Sequence, residues 1–180
     1  MRCTKNFVPL AVVALLLVPA CAKQPEAGPA PDIAAAPPAD AQVHEFTMDE
    51  WRDAFCAGGT DWTFDVPTDA WIAMPVSWVA KDEATARANW EGVTYRLTVD
   101  GRSLEVPEGL QLRVDSVHFE CPNGTIDGIG VSYMTYLPPV TAERHFSVHY
   151  LVNDDLNDGW SDYPKGSELT MNLTLRPQGT

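Results

Sequence analysis

The stretch "VTYRLTVDGRSLEV", residues 93–106, carries the clearest fold signal in the chain. Apolar side chains occupy every second position of its first half, which is the period of a half-buried β-strand. These apolar residues are Val93, Tyr95, Leu97 and Val99. The pair Asp100-Gly101 is favoured in two-residue hairpin turns, and "RSLEV" supplies the returning strand. The segment therefore predicts an antiparallel β-hairpin.

The same alternation recurs along the rest of the chain. "HFSVHYLV" (145–152) and "ELTMNLTLR" (168–176) each place four apolar side chains on one strand face. These predicted core residues are Phe146, Val148, Tyr150, Val152, Leu169, Met171, Leu173 and Leu175. "VSYMTYL" is another strand, and "WIAMPVSWV" (71–79) is one in which Pro75 requires an edge or a bulge.

One strand pattern changes its parity. In "LQLRVDSVHFEC" (110–121) the apolar positions are first even-numbered and then odd-numbered, which predicts a β-bulge near Asp115-Ser116. Counting this segment, the chain holds seven or eight strands separated by Gly, Pro, Asn and Asp turns. Such a pattern predicts a mainly β protein, an antiparallel β-sandwich with one or two short helices.

Two segments predict those helices. Thr47 and Glu50 form a capping box, and Phe46 and Trp51 have the spacing of a hydrophobic staple. "KDEATARANW" (81–90) has the composition of a second short helix.

"YLPPVTAERHFSVHYLV" (136–152) resembles a strand entry found in immunoglobulin-like domains of exported bacterial proteins. In those domains proline and leucine lead into a turn, and a strand with histidine and alternating apolar residues follows. The usual glycine of the turn is absent here, since Thr141-Ala142-Glu143 stands in its place. The resemblance implies an immunoglobulin-like sandwich over residues 45–180.

The first 20 residues have the pattern of a secretory signal peptide. Arg2 and Lys5 precede an apolar stretch of 12 residues, 7–18, which is shorter than the ~20 residues a membrane-spanning helix needs. Cys21 after Val18-Pro19-Ala20 resembles a bacterial lipobox, which implies lipidation of Cys21 and a lipoprotein of the cell envelope. In a cell with two membranes, Ala22 is similar to outer-membrane sorting signals. Ordinary cleavage at Ala20-Cys21-Ala22 is the alternative.

Residues 21–44 are expected to form a disordered tether. Eight of these 24 positions are Ala and five are Pro, and few side chains are large and apolar. Such a composition cannot offset the entropy of ordering the backbone.

The charge of the chain excludes one class of partner. Twelve basic and 25 acidic side chains give a formal net charge of −13, and no basic run is present. This surface repels phosphate backbones, so we expect no nucleic-acid partner. The membrane, reached through the N-terminal lipid, and an envelope protein or glycan are the expected partners.

Two of the four cysteines form a candidate disulfide. Cys3 lies in the predicted signal peptide, and lipidation would consume Cys21, which leaves Cys56 and Cys121. An oxidising compartment favours one bridge between them, and two separately buried thiols are the alternative.

The loop "NDDLNDGWSDYPKG" (153–166) is a candidate calcium site. Its oxygen-bearing side chains are the kind that Ca²⁺ prefers, although their spacing does not match an EF-hand. The candidate ligands are Asp154, Asp155, Asn157, Asp158 and Asp162. The alternative is a solvated loop in which Asp and Asn form turns.

Three tryptophans are candidate binding residues for a sugar or a protein: Trp71, Trp90 and Trp160. Trp51 and Trp78 fall on apolar faces and are expected in the core. No nucleophile elbow, P-loop, dinucleotide fingerprint or zinc motif occurs. We therefore expect a non-catalytic binding or accessory domain without a cofactor other than Ca²⁺. The alternatives are a calcium-stabilised adhesion-type domain and a hydrolase with an unrecognised carboxylate pair.

Overall fold

The computed structural model describes residues 33–179, and the predicted signal peptide and Cys21 lie outside this range. The described residues form two helices and eleven strands, of which eight have three or more residues. The helices are α1 (Met48–Ala57) and α2 (Glu83–Glu91). The strands are β1 (Val43–His44), β2 (Asp61–Val66), β3 (Trp71–Ala80), β4 (Val93–Val99), β5 (Arg102–Leu104), β6 (Leu112–Cys121), β7 (Gly124–Leu137), β8 (Arg144–Val152), β9 (Leu156–Asn157), β10 (Asp162–Tyr163) and β11 (Glu168–Pro177).

The strands form two sheets and one small hairpin. The four-stranded sheet has the order β1-β3-β7-β6, the five-stranded sheet has the order β2-β11-β8-β4-β5, and β9 pairs with β10. The prediction of a mainly β protein is confirmed, but the purely antiparallel arrangement is wrong. β1 runs parallel to β3, and β2 runs parallel to β11. Neither pair is joined by a hairpin, so no tight turn fixes the relative direction of its strands.

Both sheets contribute to one hydrophobic core. The fully buried side chains include Ile72, Met74 and Val76 of the first sheet and Phe146 and Val148 of the second. The predicted alternation of β8 is confirmed, because its four apolar residues are buried while the residues between them are more exposed.

The structure confirms the predicted capping box and hydrophobic staple of α1 and the predicted hairpin turn after β4. Thr47 caps α1, and the Glu50 side chain accepts a hydrogen bond from the Thr47 N–H at 2.6 Å. The rings of Phe46 and Trp51 lie 5.5 Å apart, as a hydrophobic staple requires. Asp100 and Gly101 both have positive φ, of 50° and 76°, which the predicted hairpin turn demands.

The predicted bulge in β6 is wrong. β6 pairs with β7 without interruption from Leu112 to Cys121. The parity changes because the second half of the strand is covered on its other face. There α1 packs across the sheet, with Phe55 stacked on Phe119 at 5.3 Å. A disulfide joins Cys56 of α1 to Cys121 of β6, as predicted, with the two Cα atoms 5.1 Å apart.

Part of the segment expected to be a disordered tether lies against the first sheet. Ala34 exchanges two backbone hydrogen bonds with Tyr136, of 2.9 and 3.0 Å, and β1 pairs with the start of β3. Within the described residues, contacts with the sheet therefore begin before residue 45. Among residues 33–179, no helix has the length and apolar character needed to cross a bilayer.

Candidate functional site

The described residues enclose an apolar cavity of about 470 Å³ beside β3. It extends from β3, β6 and β7 of the first sheet to β2, β8 and β11 of the second, with α1 and the loop between β8 and β11 at its borders. Its volume is within the range of ligand pockets, roughly 300–1,000 Å³. The lining residues are Phe55, Thr60, Trp62, Ser77, Trp78, Val79, Val117, Phe119, Thr125, Ile126, Tyr150, Asp158, Trp160, Tyr163, Leu169, Thr170 and Met171.

The cavity lies where β3 is an edge strand. β1 covers only the first two residues of β3, so the edge beyond Ile72 has no neighbouring strand within the described residues. Pro75 falls on this uncovered stretch, as the sequence predicted. The odd-numbered residues of β3 direct their backbone N–H away from β7, since Trp71 and Ser77 donate on that side. Pro75 has no N–H to leave unpaired.

Two contacts close parts of this edge. The Tyr150 hydroxyl accepts a hydrogen bond from the Ser77 N–H at 3.2 Å and donates to the Ser77 carbonyl at 2.9 Å. Further along, the Lys81 N–H donates to the Asp158 carbonyl at 2.8 Å. Between them is Val79, whose N–H and C=O face the same side by the alternation of an antiparallel ladder. No hydrogen-bond partner for these two groups occurs among residues 33–179.

Aromatic and aliphatic side chains dominate the walls. Trp62 and Trp78 carry buried indole N–H groups without a hydrogen-bond partner in the described part of the chain. An unsatisfied buried donor costs about 1–3 kcal/mol, so such groups are uncommon without a reason. Leu169 and Met171 are only half-buried although the strand pattern predicted them in the core. They line the cavity, while Leu173 and Leu175 of the same strand are buried between the sheets.

The loop between β8 and β11 borders the cavity through a turn built on Asp158. One oxygen of this buried carboxylate accepts hydrogen bonds from the Trp160 and Ser161 N–H groups, at 2.8 and 2.7 Å. The other accepts from the Tyr163 hydroxyl at 2.8 Å. Burial, together with the bond to Asp158, raises the pKa of Tyr163 to about 12. Among the described residues that line the cavity, Asp158 is the only carboxylate, and each of its oxygens accepts at least one hydrogen bond.

Trp160 lies over a glycine that permits its close approach. A Cβ on Gly128 would be 2.7 Å from Cη2 of Trp160, and nearer still to the carbonyl oxygen of Ala80. Val79 and Val117 flank the adjacent Gly130 on the same part of the sheet. Gly128 therefore lets the Trp160 ring of the loop rest on the end of the first sheet.

The predicted calcium ligands make separate local contacts. Asp155 accepts a hydrogen bond from the Lys165 N–H at 2.8 Å, and Asp154 lies 3.8 Å from the Lys165 ammonium group. Asn157 donates to Asp162 at 2.6 Å. Residues 33–179 contain no group of three or more His, Cys, Asp or Glu side chains arranged to hold a metal ion.

The three candidate tryptophans are not brought together on one surface. Trp160 is 46% exposed and lines the cavity, and Trp71 is half-buried at the start of β3. Trp90 is 8% exposed, with its ring 5.4 Å from those of Tyr95 and Tyr133. It cannot serve as an exposed stacking platform, because α2 packs this side chain into the core.

Sequence reasoning missed most of the cavity. It assigned Trp78, Leu169 and Met171 to the core and did not consider Trp62. Their apolar alternation is the same whether the opposite sheet covers them or leaves a gap. Pro75 was the one local signal that marked the edge beside which the gap lies.

Comparisons with known proteins place the chain in no family. No family model matches it, and no curated protein matches it. Among solved structures it is similar to the cysteine protease inhibitor EhICP2 from Entamoeba histolytica, with 10% identity and a TM-score of 0.32. That match covers 76% of this chain and 96% of the inhibitor. Amebosin, solved in solution, has 17% identity and a TM-score of 0.26, with 67% and 100% covered. TM-scores this low do not establish a shared fold.

Proposed function

We propose that the chain is an exported lipoprotein whose domain binds an apolar molecule in the cavity beside β3, without catalysing a reaction. The observation that carries the proposal is the cavity itself. It has the volume of a ligand site, and its walls combine aromatic rings and aliphatic side chains. These features favour a ligand that is mainly hydrophobic.

The chemistry of the lining favours binding over catalysis. A hydrolase of the two-carboxylate type needs two acids near one bond, one of them with a shifted pKa. The lining holds a single carboxylate, and Asp158 is already bonded to two backbone N–H groups and one hydroxyl. Within residues 33–179, no Lys, Arg or His side chain lines the cavity to hold an anionic ligand.

Two sequence features support the envelope location. The apolar segment followed by Cys21 is similar to a lipoprotein signal, and the Cys56–Cys121 disulfide suits an oxidising compartment. We infer an immunoglobulin-like sandwich modified by parallel edge strands as the fold of the carried domain. Two sheets that share one core support this assignment.

Binding can be tested with the fluorescent apolar probe N-phenyl-1-naphthylamine. The full chain would carry Cys21→Ser, which removes the predicted lipidation site and the need for detergent. We expect saturable fluorescence enhancement, and at least a tenfold weaker affinity when Val117→Trp fills the cavity. Val106→Trp is the matched control, since Val106 is exposed and lies outside the cavity. Equal binding by the filled variant, or no binding by the parent chain, would overturn the proposal.

A further inference from the structure

The free backbone groups of Val79 give the cavity a feature that a purely hydrophobic pocket lacks. Tyr150 occupies the edge at Ser77, and Asp158 occupies it at Lys81. These two positions are four residues apart, or about 13 Å along a strand. In the window between them, Val79 lines the cavity and offers one N–H donor and one C=O acceptor.

We propose that the natural occupant is an extended peptide segment of a partner protein, which pairs with Val79 and places apolar side chains in the cavity. This inference rests on the proposed function. One residue of an extended strand presents an N–H and a C=O on the same side, which matches the pair on Val79. A hydrocarbon chain could fill the volume but would leave both groups unpaired.

The edge also limits how far such a segment can pair. Pro75 has no donor, and the groups of Ser77 already bond to Tyr150. The segment therefore crosses β3 at one residue pair and does not add a long strand to the sheet. Most of the affinity must come from apolar side chains buried in the cavity, at about 25 cal/mol per Å² of apolar surface.

The negative charge around the cavity indicates which residues of the peptide would flank its apolar centre. Five exposed acidic residues are sequence neighbours of lining residues: Asp61, Glu120, Asp127, Asp162 and Glu168. No Lys or Arg is adjacent in sequence to a lining residue, and Lys81 is the lysine that contacts the lining residue Asp158, through its backbone N–H. Because the whole chain has a net charge of −13, a peptide with lysine or arginine on either side of an apolar centre is favoured. Its binding is expected to weaken as salt is raised.

Selection from a phage-displayed library of random ten-residue peptides tests the inference. The bait is the full chain carrying Cys21→Ser, and peptides that also bind the Val117→Trp variant are discarded. We expect enriched peptides with apolar residues at alternate central positions and basic residues outside them. The best peptide is then synthesised with single N-methyl groups at two successive central residues. One of the two modified peptides should lose at least tenfold in affinity, because only one of these amides faces β3.

The outcomes separate this inference from the proposed function. If no peptides are enriched, or if neither N-methylated peptide binds more weakly than the unmodified one, the peptide inference is overturned. Even if the peptide inference is overturned, the proposed apolar site is still supported when the fluorescent probe binds the parent chain but not the Val117→Trp variant. A neutral lipid, 1-monooleoylglycerol, is assayed in parallel. Displacement of the fluorescent probe by this lipid but by none of the peptides would assign the cavity to lipid instead.

Discussion

At the residue scale, Tyr150 connects the two sheets. Its ring belongs to the core face of β8, and its hydroxyl satisfies both backbone groups of Ser77 on the uncovered edge of β3. Burial raises the pKa of this hydroxyl, so it stays protonated and can donate. One side chain thus blocks an edge position that would otherwise be open to another strand.

Replacing Tyr150 with Phe should destabilise the domain by about 1–3 kcal/mol, because two backbone groups lose their partner. Urea unfolding followed by tryptophan fluorescence measures the change. Tyr95→Phe is the control, since Tyr95 is half-buried on the neighbouring strand β4, and we expect a smaller loss. Equal losses in the two variants would show that the Tyr150 hydroxyl contributes nothing particular to stability.

Tyr163 should make stability depend on pH in the alkaline range. Its pKa is about 12 in the folded chain and about 10 when unfolded. The unfolded state therefore releases this proton first, so the contribution is complete below pH 10 and declines as pH rises from 10 to 12. Rapid urea unfolding between pH 8 and 11.5 should show stability decreasing above pH 10. The decrease should be shallower in Tyr163→Phe, and identical slopes would contradict the prediction.

At the element scale, α1 is held by aromatic packing of Trp51 and Phe55 and by one covalent attachment. None of its residues is fully buried, and the disulfide fixes its last turn to the end of β6. Phe55, one turn of helix from Trp51, is the residue of α1 that reaches the cavity. The Cys56–Cys121 bridge thus lies next to the α1 residue that forms one cavity wall.

Removing this bridge with Cys56→Ala and Cys121→Ala should destabilise the domain by up to about 4 kcal/mol, because the unfolded chain loses a 65-residue cross-link. Urea unfolding measures the loss, and the parent chain in reducing agent should behave like the double variant. The apolar probe should also bind more weakly, since Phe55 is no longer held in place. A loss below about 1 kcal/mol would argue that packing alone holds α1.

The acidic loop between β8 and β11 behaves as a set of turns. Its carboxylates accept hydrogen bonds from backbone N–H groups and the Tyr163 hydroxyl, and Asp154 lies near the Lys165 ammonium group. These bonds favour the turn interpretation of the loop over the calcium interpretation.

We expect the melting temperature in millimolar Ca²⁺ to equal that in EDTA within about 1 °C. A native-state ligand at 100 times its dissociation constant would add about 2.7 kcal/mol, a shift of several degrees at this size. Non-reducing thermal unfolding distinguishes the two cases. A clear rise with Ca²⁺, lost in Asp154→Asn, would restore the calcium-stabilised adhesion domain as a candidate.

At the scale of the whole molecule, the proposal joins an anchor to a binding domain. Lipidation at Cys21 would hold the chain on a membrane, and the Ala/Pro-rich segment would separate the membrane from the domain. From Ile33 on, that segment is already placed along the first sheet. The distance between the membrane and the domain would therefore depend on fewer residues than the 24 of the predicted tether, 21–44.

Cys21→Ser should move the protein from the membrane fraction to the soluble fraction and abolish labelling with radioactive palmitate. Cys3→Ser is the matched control, because Cys3 lies in the predicted signal peptide, and it should leave both measurements unchanged. Membrane association that survives Cys21→Ser would overturn the lipoprotein assignment.

The sequence by itself determined the local structure of this protein. Alternation in β4 and β8, the capping box at Thr47 and the Asp100-Gly101 turn each depend on neighbours within a few residues. The Cys56–Cys121 pair followed from eliminating the other cysteines.

Only the tertiary structure decided how the distant parts meet. The pairing of β2 with β11, the packing of α1 on β6 and the gap beside β3 depend on contacts between residues far apart in the chain. The change of parity in β6 predicted a bulge that is absent. Periodicity indicates which face of a strand is buried, but it does not indicate which element covers that face. For the same reason the cavity could not be predicted. Trp78, Leu169 and Met171 would show the same apolar alternation whether they faced a packed core or a cavity.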